Sequence, residues 1–349
     1  MFRYFSRCAE VAEVEEQLAL YSAVVRDAMD SFLAGGQPSE FLSDLVREYP
    51  RRPGKGIRPG LLLAACQAYG GSVADGLRAA VALEMLHNAF LIHDDLEDAS
   101  ARRRGGPSLH EAHGLPLAVN AGDALATHAL EPLLDGDALG SRLSRRVVRE
   151  FLTTVHTTTE GQALELGWRR DNVVDLDHTD YLRMAIRKTC WYTTVSPLRL
   201  GALIGSRGRT PLDGLSRFGS FLGVAFQIRD DVLSTASSAS SNGKDALGDI
   251  REGKRTLMLI HLMAEARNDE RQWLSEFLSS PEASRTPADA DRVLGLMHAH
   301  GSIDFARSYA EAMATAAAAS FEATFADVEE QPSVRFIREL IPYMVARSN

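Results

Sequence analysis

Apolar positions recur at spacings of three and four along nearly the whole chain, the period of helices with a buried face. The stretches "LRAAVALEMLHNAFLIHDDLED", "LSRRVVREFLTTVHTTTEGQALELGW", "DYLRMAIRKTCWYTTVSPLRLGALIG" and "FGSFLGVAFQIRDDVLS" are long and rich in Ala and Leu. No series of short alternating runs competes with them as strands, so the pattern predicts an all-α protein. Breaks rich in Gly, Pro, Ser or Asp fall at "YPRRPGKGIRP", "YGGSVADG", "HGLPLAVNAGD", "LLDGDALGS", "GSRGRTPLDG", "STASSASSNGKDALGD" and "SSPEASRTPADAD" and read as inter-helix loops. No shift in composition divides the chain, and its central helices are apolar all round. Residues 1–349 therefore read as one large helical domain, with an N-terminal helical region over 1–20 and a flexible Ser-rich loop over 234–243.

Composition narrows this picture. With 349 residues, 45% of them hydrophobic, the chain has enough material for a sizeable core. Lys plus Arg number 38 against 47 Asp plus Glu, and the net charge of −9 gives no support to a general nucleic-acid binder. An anionic ligand must then be gripped by individually placed residues. Cys8, Cys66 and Cys190 are odd in number, far apart and without metal-type spacing, as structural thiols of a reducing compartment are. The opening "MFRYFSRCAEVAEVEEQ" has no apolar targeting core, and no stretch approaches the roughly 20 apolar residues of a membrane span. The expectation is a cytoplasmic protein that does not cross a membrane.

The chemistry concentrates in "HNAFLIHDDLEDASARRRGGP". On a helix Asp94 and Asp98 are neighbours on one face, with Asp95 and Glu97 to either side. Two like charges at the end of an apolar helix need a compensating cation. A hard divalent ion, Mg²⁺ above all, is one candidate; pairing with Arg102 to Arg104 at a solvated helix end is the other. "FLGVAFQIRDDVLS" repeats the pattern with Asp230 and Asp231, and Ser234 stands where the third acid falls in the first stretch. Two such helices facing each other would make a metal cage. Lys55, Arg58, Arg103, Arg104, Lys188, Lys244 and Lys254 lie at loop-to-helix junctions or beside the acids, a set suited to phosphates. The chemistry these residues suggest is metal-assisted ionisation of a diphosphate.

At these residues the sequence resembles the trans-isoprenyl diphosphate synthases, or polyprenyl synthetases, and most of all their geranylgeranyl diphosphate synthases. "GKGIRP", "DDLED", "RRGGP", "KT", "FQIRDD" and "GKDALGDIREGKRT" match that family's motifs in order from about Gly54 to Thr256. The resemblance implies a helical bundle of the isoprenoid synthase type with a central cavity between long helices, Mg²⁺ as cofactor and a homodimer. It implies Asp94, Asp98 and Asp230 as metal ligands, with Asp95 supporting the first pair. Arg103, Lys188 and Lys254, with Lys244, would hold an allylic diphosphate; Lys55, Arg58, His87 and Arg104 would hold isopentenyl diphosphate; Thr189 and Gln227 would lie near the reacting carbons. His93 and the aromatics of "CWYTT" read as packing.

Residues about one helical turn before Asp94 would floor the tunnel for the growing chain, which points to Ala89 and Phe90. In the family that the sequence resembles, bulk at either position stops elongation early, so an open Ala89 with Phe90 as a partial plug implies a medium product; the "DDLEDASARRRG" spacing, similar to that of several geranylgeranyl diphosphate synthases, implies geranylgeranyl diphosphate ahead of farnesyl diphosphate. Two other readings stay open at this point. A class I terpene cyclase on the same fold would not need the residues for isopentenyl diphosphate, and a non-catalytic subunit of a heteromeric synthase would not need the intact "DDLED".

Overall fold

The computed structural model describes residues 2–34, 40–134, 139–236 and 247–346. Its helices are α1 (Phe2–Ala34), α2 (Leu45–Arg51), α3 (Ile57–Ala68), α4 (Val73–Glu97), α5 (Leu109–His113), α6 (Leu115–His128), α7 (Glu131–Leu134), α8 (Ser141–Arg170) and α9 (His178–Ala185). There follow α10 (Ser196–Gly205), α11 (Asp213–Ala236), α12 (Gly248–Glu252), α13 (Leu257–Glu265), α14 (Asn268–Ser279), α15 (Pro287–Ala299), α16 (Ser302–Thr324) and α17 (Pro332–Ala346). The all-α expectation holds, and the differences are local. The N-terminal helix runs on past residue 20 to Ala34. Ser234 to Ala236 belong to the end of α11 instead of the predicted loop, and residues 237–243 lie outside the described residues. "RRGGP" closes into a two-residue hairpin, Arg102–Arg103 (β1) pairing antiparallel with Gly106–Pro107 (β2).

Helix starts follow local chemistry. Ser72 caps α4 by accepting from the Asp75 backbone N–H, while the Asp75 side chain returns the bond to the Ser72 N–H. Asp177 and Asp180 repeat the device at α9. The middle of α3, with Leu61, Leu62 and Leu63 all fully buried, packs against α4 and α10 and is overlaid by α1 and α17. Each such leucine contributes about 1.5–3 kcal/mol by burial. α11 joins this core to a second one. Leu215, Phe218 and Leu222 belong to the first, whereas Val224, Ile228 and Val232 pack with Met184, Leu257, Leu274 and Met297 in the other.

Between α9 and α10 the chain winds as a π-helix over Ile186–Val195, a conformation rare except in short functional segments. Glycines admit it between its neighbours. A Cβ at Gly161 of α8 would stand 2.1 Å from the Lys188 backbone nitrogen, and one at Gly223 of α11 would stand 2.6 Å from the Cys190 Cβ. The π-segment is therefore pressed against two long helices, which fixes the direction of its side chains.

Candidate active site

A cavity of about 480 Å³ opens between α4, α8, the π-segment and α11. From α4 come Phe90, His93, Asp94 and Glu97, from the π-segment Lys188, Thr189 and Tyr192, and from α11 Gln227, Asp230 and Asp231. Arg58, His87, Arg103, Glu165, Asp249 and Lys254 also line it. The two acidic stretches thus meet across one space, as their repeated pattern predicts. His93 and Tyr192, which read as packing in the sequence, stand on the wall.

The acids of the first stretch divide their work. Asp94 faces the cavity, its Oδ2 3.0 Å from Arg103 Nη2 and its Oδ1 3.8 Å from Lys188 Nζ. Burial, the largest single influence, and the repulsion from Asp98 would raise its pKa, but Lys188, Lys254 and Arg103 together outweigh them, so the carboxyl is held below its usual range. Asp95 turns away into the protein, where Tyr49 donates its hydroxyl at 2.5 Å and Arg103 donates Nε–H at 2.7 Å. Asp95 therefore aims Arg103 at Asp94. Asp98, at the helix end, is buried and off the cavity wall, with Arg169 Nη1 at 2.6 Å on one oxygen and Lys254 Nζ at 2.9 Å on the other. Burial opposes its ionisation, yet Lys254, Lys188 and Arg169 bring its pKa down to about 2.

The lysines are fixed by acids in turn. Lys188 is bonded to Glu165 of α8, and Lys254 bridges Asp98, Glu252 at 2.7 Å and Asp249 at 3.1 Å. On α11, Asp231 accepts from Tyr181 at 2.8 Å and from Gln227 at 2.7 Å. Burial and the charge of Asp249 push its carboxyl up to about 8. Asp230 is more exposed and faces the open cavity.

A second basic group stands apart from these acids. Arg58 Nη1 and Arg104 Nη2 approach His87 Nε2 at 3.2 and 3.1 Å. Guanidinium groups only donate, so Nε2 is the acceptor and the ring is neutral with its proton on Nδ1. Burial, then the charges of Arg58, Arg104 and Arg103, hold its pKa well below the usual range. His87 thus holds two arginines side by side. Arg58 also lies over the Tyr192 ring, 4.3 Å from its centroid, and Phe90 meets that ring edge-on at 5.7 Å. The hairpin turn explains how adjacent arginines serve different groups: Arg104 and Gly105 both have positive φ, the turn that suits tight hairpins, and Arg103 faces the acids while Arg104 faces His87.

Besides Asp95, Asp98 and Arg104, which stand behind the lining, Lys55 and Ala89 are not on the wall. Lys55 is exposed, in a loop whose Gly56 has φ +65° and would set a Cβ 2.8 Å from Ser22, so only glycine fits there. Ala89 is fully buried in the core beside Phe90. Lys244 lies outside the described residues. Sequence reasoning missed Tyr49, Glu165 and Arg169, which position Asp95, Lys188 and Asp98 across 46, 23 and 71 residues of chain. Of these only Glu165 carries a sign in the sequence, as an acid within a stretch read as a long helix.

The polyprenyl synthetase family matches residues 39–297. The geranylgeranyl diphosphate synthase of Saccharolobus solfataricus is 33% identical over 267 residues, 74% of this chain and 77% of that one. The crystal structure of geranylgeranyl pyrophosphate synthetase from Pyrococcus horikoshii superposes with a TM-score of 0.84 at 26% identity, covering 97% of this chain and 99% of the other. That of geranylgeranyl pyrophosphate synthase from Corynebacterium glutamicum, complexed with isoprenyl diphosphate and magnesium, gives 0.83 at 26%, covering 94% and 99%. With its acids on facing walls and its basic groups in two sets, the chain belongs to the polyprenyl synthetase family, the trans-isoprenyl diphosphate synthases.

Proposed function

We propose that this chain condenses isopentenyl diphosphate head-to-tail with an allylic diphosphate, with Mg²⁺, to give an all-trans prenyl diphosphate, geranylgeranyl diphosphate first and farnesyl diphosphate second. The observation that carries this reading is one cavity with carboxylates on two walls, lysines beside them, and a separate Arg58, His87 and Arg104 group for a second anion. A cyclase has no use for that second group.

The donor set suits Mg²⁺: hard carboxylate oxygens from Asp94 and Asp230, which face the cavity, would hold it, with diphosphate and water completing its shell, while Asp98, expected as a third ligand, is held off the wall by Arg169 and Lys254. Once bound, the ion neutralises charge growing on the leaving diphosphate. Arg103, Lys188 and Lys254, with Lys244, grip the allylic diphosphate, and Lys55, Arg58 and Arg104 grip isopentenyl diphosphate through the frame that His87 provides. Thr189 and Gln227 border the reacting carbons, while Phe90 and Tyr192 keep water from the allylic cation. The departing diphosphate takes the last proton.

Incubation with Mg²⁺, isopentenyl diphosphate and each allylic diphosphate, followed by mass analysis, should yield mainly the C20 diphosphate. Cyclic hydrocarbon formed from a prenyl diphosphate alone would overturn the reading. In the same assay Phe90→Ala should lengthen the product by at least one isoprene unit, because it removes a ring from the wall. Ala89 points into the core, so Ala89→Phe should lower stability by overpacking and leave the limit on product length to Phe90.

The homodimer is supported by apolar side chains left facing solvent on adjoining helices: Leu115 (60% exposed), Leu117 and Val119 on α6, Leu134 (72%) on α7 and Leu152 on α8. Light scattering should report twice the chain mass of 38.1 kDa; a monomer would contradict it.

A further inference from the structure

The two acidic stretches agree until their last position, where "DDLED" ends on Asp98 and "DDVLS" on Ser234. A serine brings no charge, so the second wall is short of one carboxylate. In the fold, Ser234 at the end of α11 is hydrogen-bonded through its hydroxyl to Asp249 Oδ2 of α12, and its Oγ lies 3.0 Å from the Asp231 carbonyl. Asp249 lines the cavity with Asp230 and Asp231. Its other oxygen is 3.1 Å from Lys254 Nζ, and the same ammonium is 2.9 Å from Asp98. The carboxylate that ends the first stretch and the one held by Ser234 therefore stand on a single lysine, Asp98 behind the wall and Asp249 on it.

We propose that Asp249 completes the second acidic motif, supplying from α12 the carboxylate that Ser234 lacks and taking part in holding the divalent cation on that wall. This rests on the metal-dependent prenyltransferase reading above. Ser234 is then a positioning residue, fixing the carboxylate as outer-shell partners fix metal ligands. The charge of Asp249 is already felt on this wall, where it helps push the Asp231 carboxyl up.

The test needs no turnover. Calorimetry with inorganic diphosphate, with and without Mg²⁺, measures how much the ion tightens diphosphate binding. Asp249→Asn should cut that gain by about tenfold or more. Metal-free binding should be unchanged or tighter, since a negative charge beside Lys254 is gone. The exchange Ser234→Asp with Asp249→Ser returns one carboxylate to the same place and should restore most of the gain. If Asp249 only balances Lys254, metal-free binding will shift while the gain stays at the wild-type value, and the proposal falls; it falls equally if the exchange restores nothing. Asp94→Ala separates the two levels of the argument. A gain lost in Asp94→Ala but kept in Asp249→Asn rejects Asp249 alone, whereas a gain kept in both rejects the metal reading itself.

Discussion

Asp94→Ala should reduce prenyl transfer by about 10³-fold or more, the scale on which removing a placed electrostatic partner of a developing charge acts. Asp94 is the aspartate of the first stretch that faces the cavity, beside Glu97, whereas Asp95 is turned to Tyr49 and Asp98 to Arg169 and Lys254. The fold should survive. The two cations left behind keep other carboxylates, Arg103 on Asp95 and Lys188 on Glu165, and the repulsion between Asp94 and Asp98 disappears. A melting temperature close to that of the wild type, with no product above background, is the expected pair of measurements. Near-normal product formation would remove the metal-binding role from this helix.

Gly161→Ala should be among the most damaging single-methyl changes in the chain. The added Cβ would stand 2.1 Å from the Lys188 nitrogen and 2.6 Å from its Cα, so it meets backbone, which cannot swing aside as a side-chain tip does. Forcing α8 and the π-segment apart should cost about 3 kcal/mol or more. That corresponds to a fall in melting temperature on the order of 5 °C. It also moves Lys188 from its place between Glu165 and Asp94, so turnover should fall with stability. Gly167, on the same helix with nothing within 4 Å of a built Cβ, is the control. Gly167→Ala should be neutral or stabilise by about 0.5–1 kcal/mol, since it lowers the entropy of the unfolded chain and favours helix. Equal melting temperatures for the two variants would contradict the close packing of the π-segment.

The helices and the chemistry were largely legible because both are written in local patterns: apolar periods, and acids and bases at fixed spacings. What escaped depends on contacts between distant segments. Asp94 and Asp98 share a helical face in projection, but Asp98 is the residue at which α4 ends, with φ −97°, and buried cations draw it off the wall. His93 looked like packing because it sits about 100° from Asp94, yet the cavity is wide enough to take in both. Ala89 fails for the opposite reason: one position from Phe90, it already points into the core. The π-winding has no signature in "IRKTCWYTTV", since the glycines that admit it are on α8 and α11. The hairpin was missed because two-residue strands carry no period at all.

The Tyr192 ring touches Phe90 on one side and carries the Arg58 guanidinium on another. One rigid aromatic plate thus joins Phe90 on the cavity wall to Arg58. Under the roles proposed above, a change in side-chain volume at Phe90 should reach Arg58 through that plate and couple product size to affinity for the five-carbon donor. A variant shifted toward longer or shorter products should then need its donor site retuned in the same step.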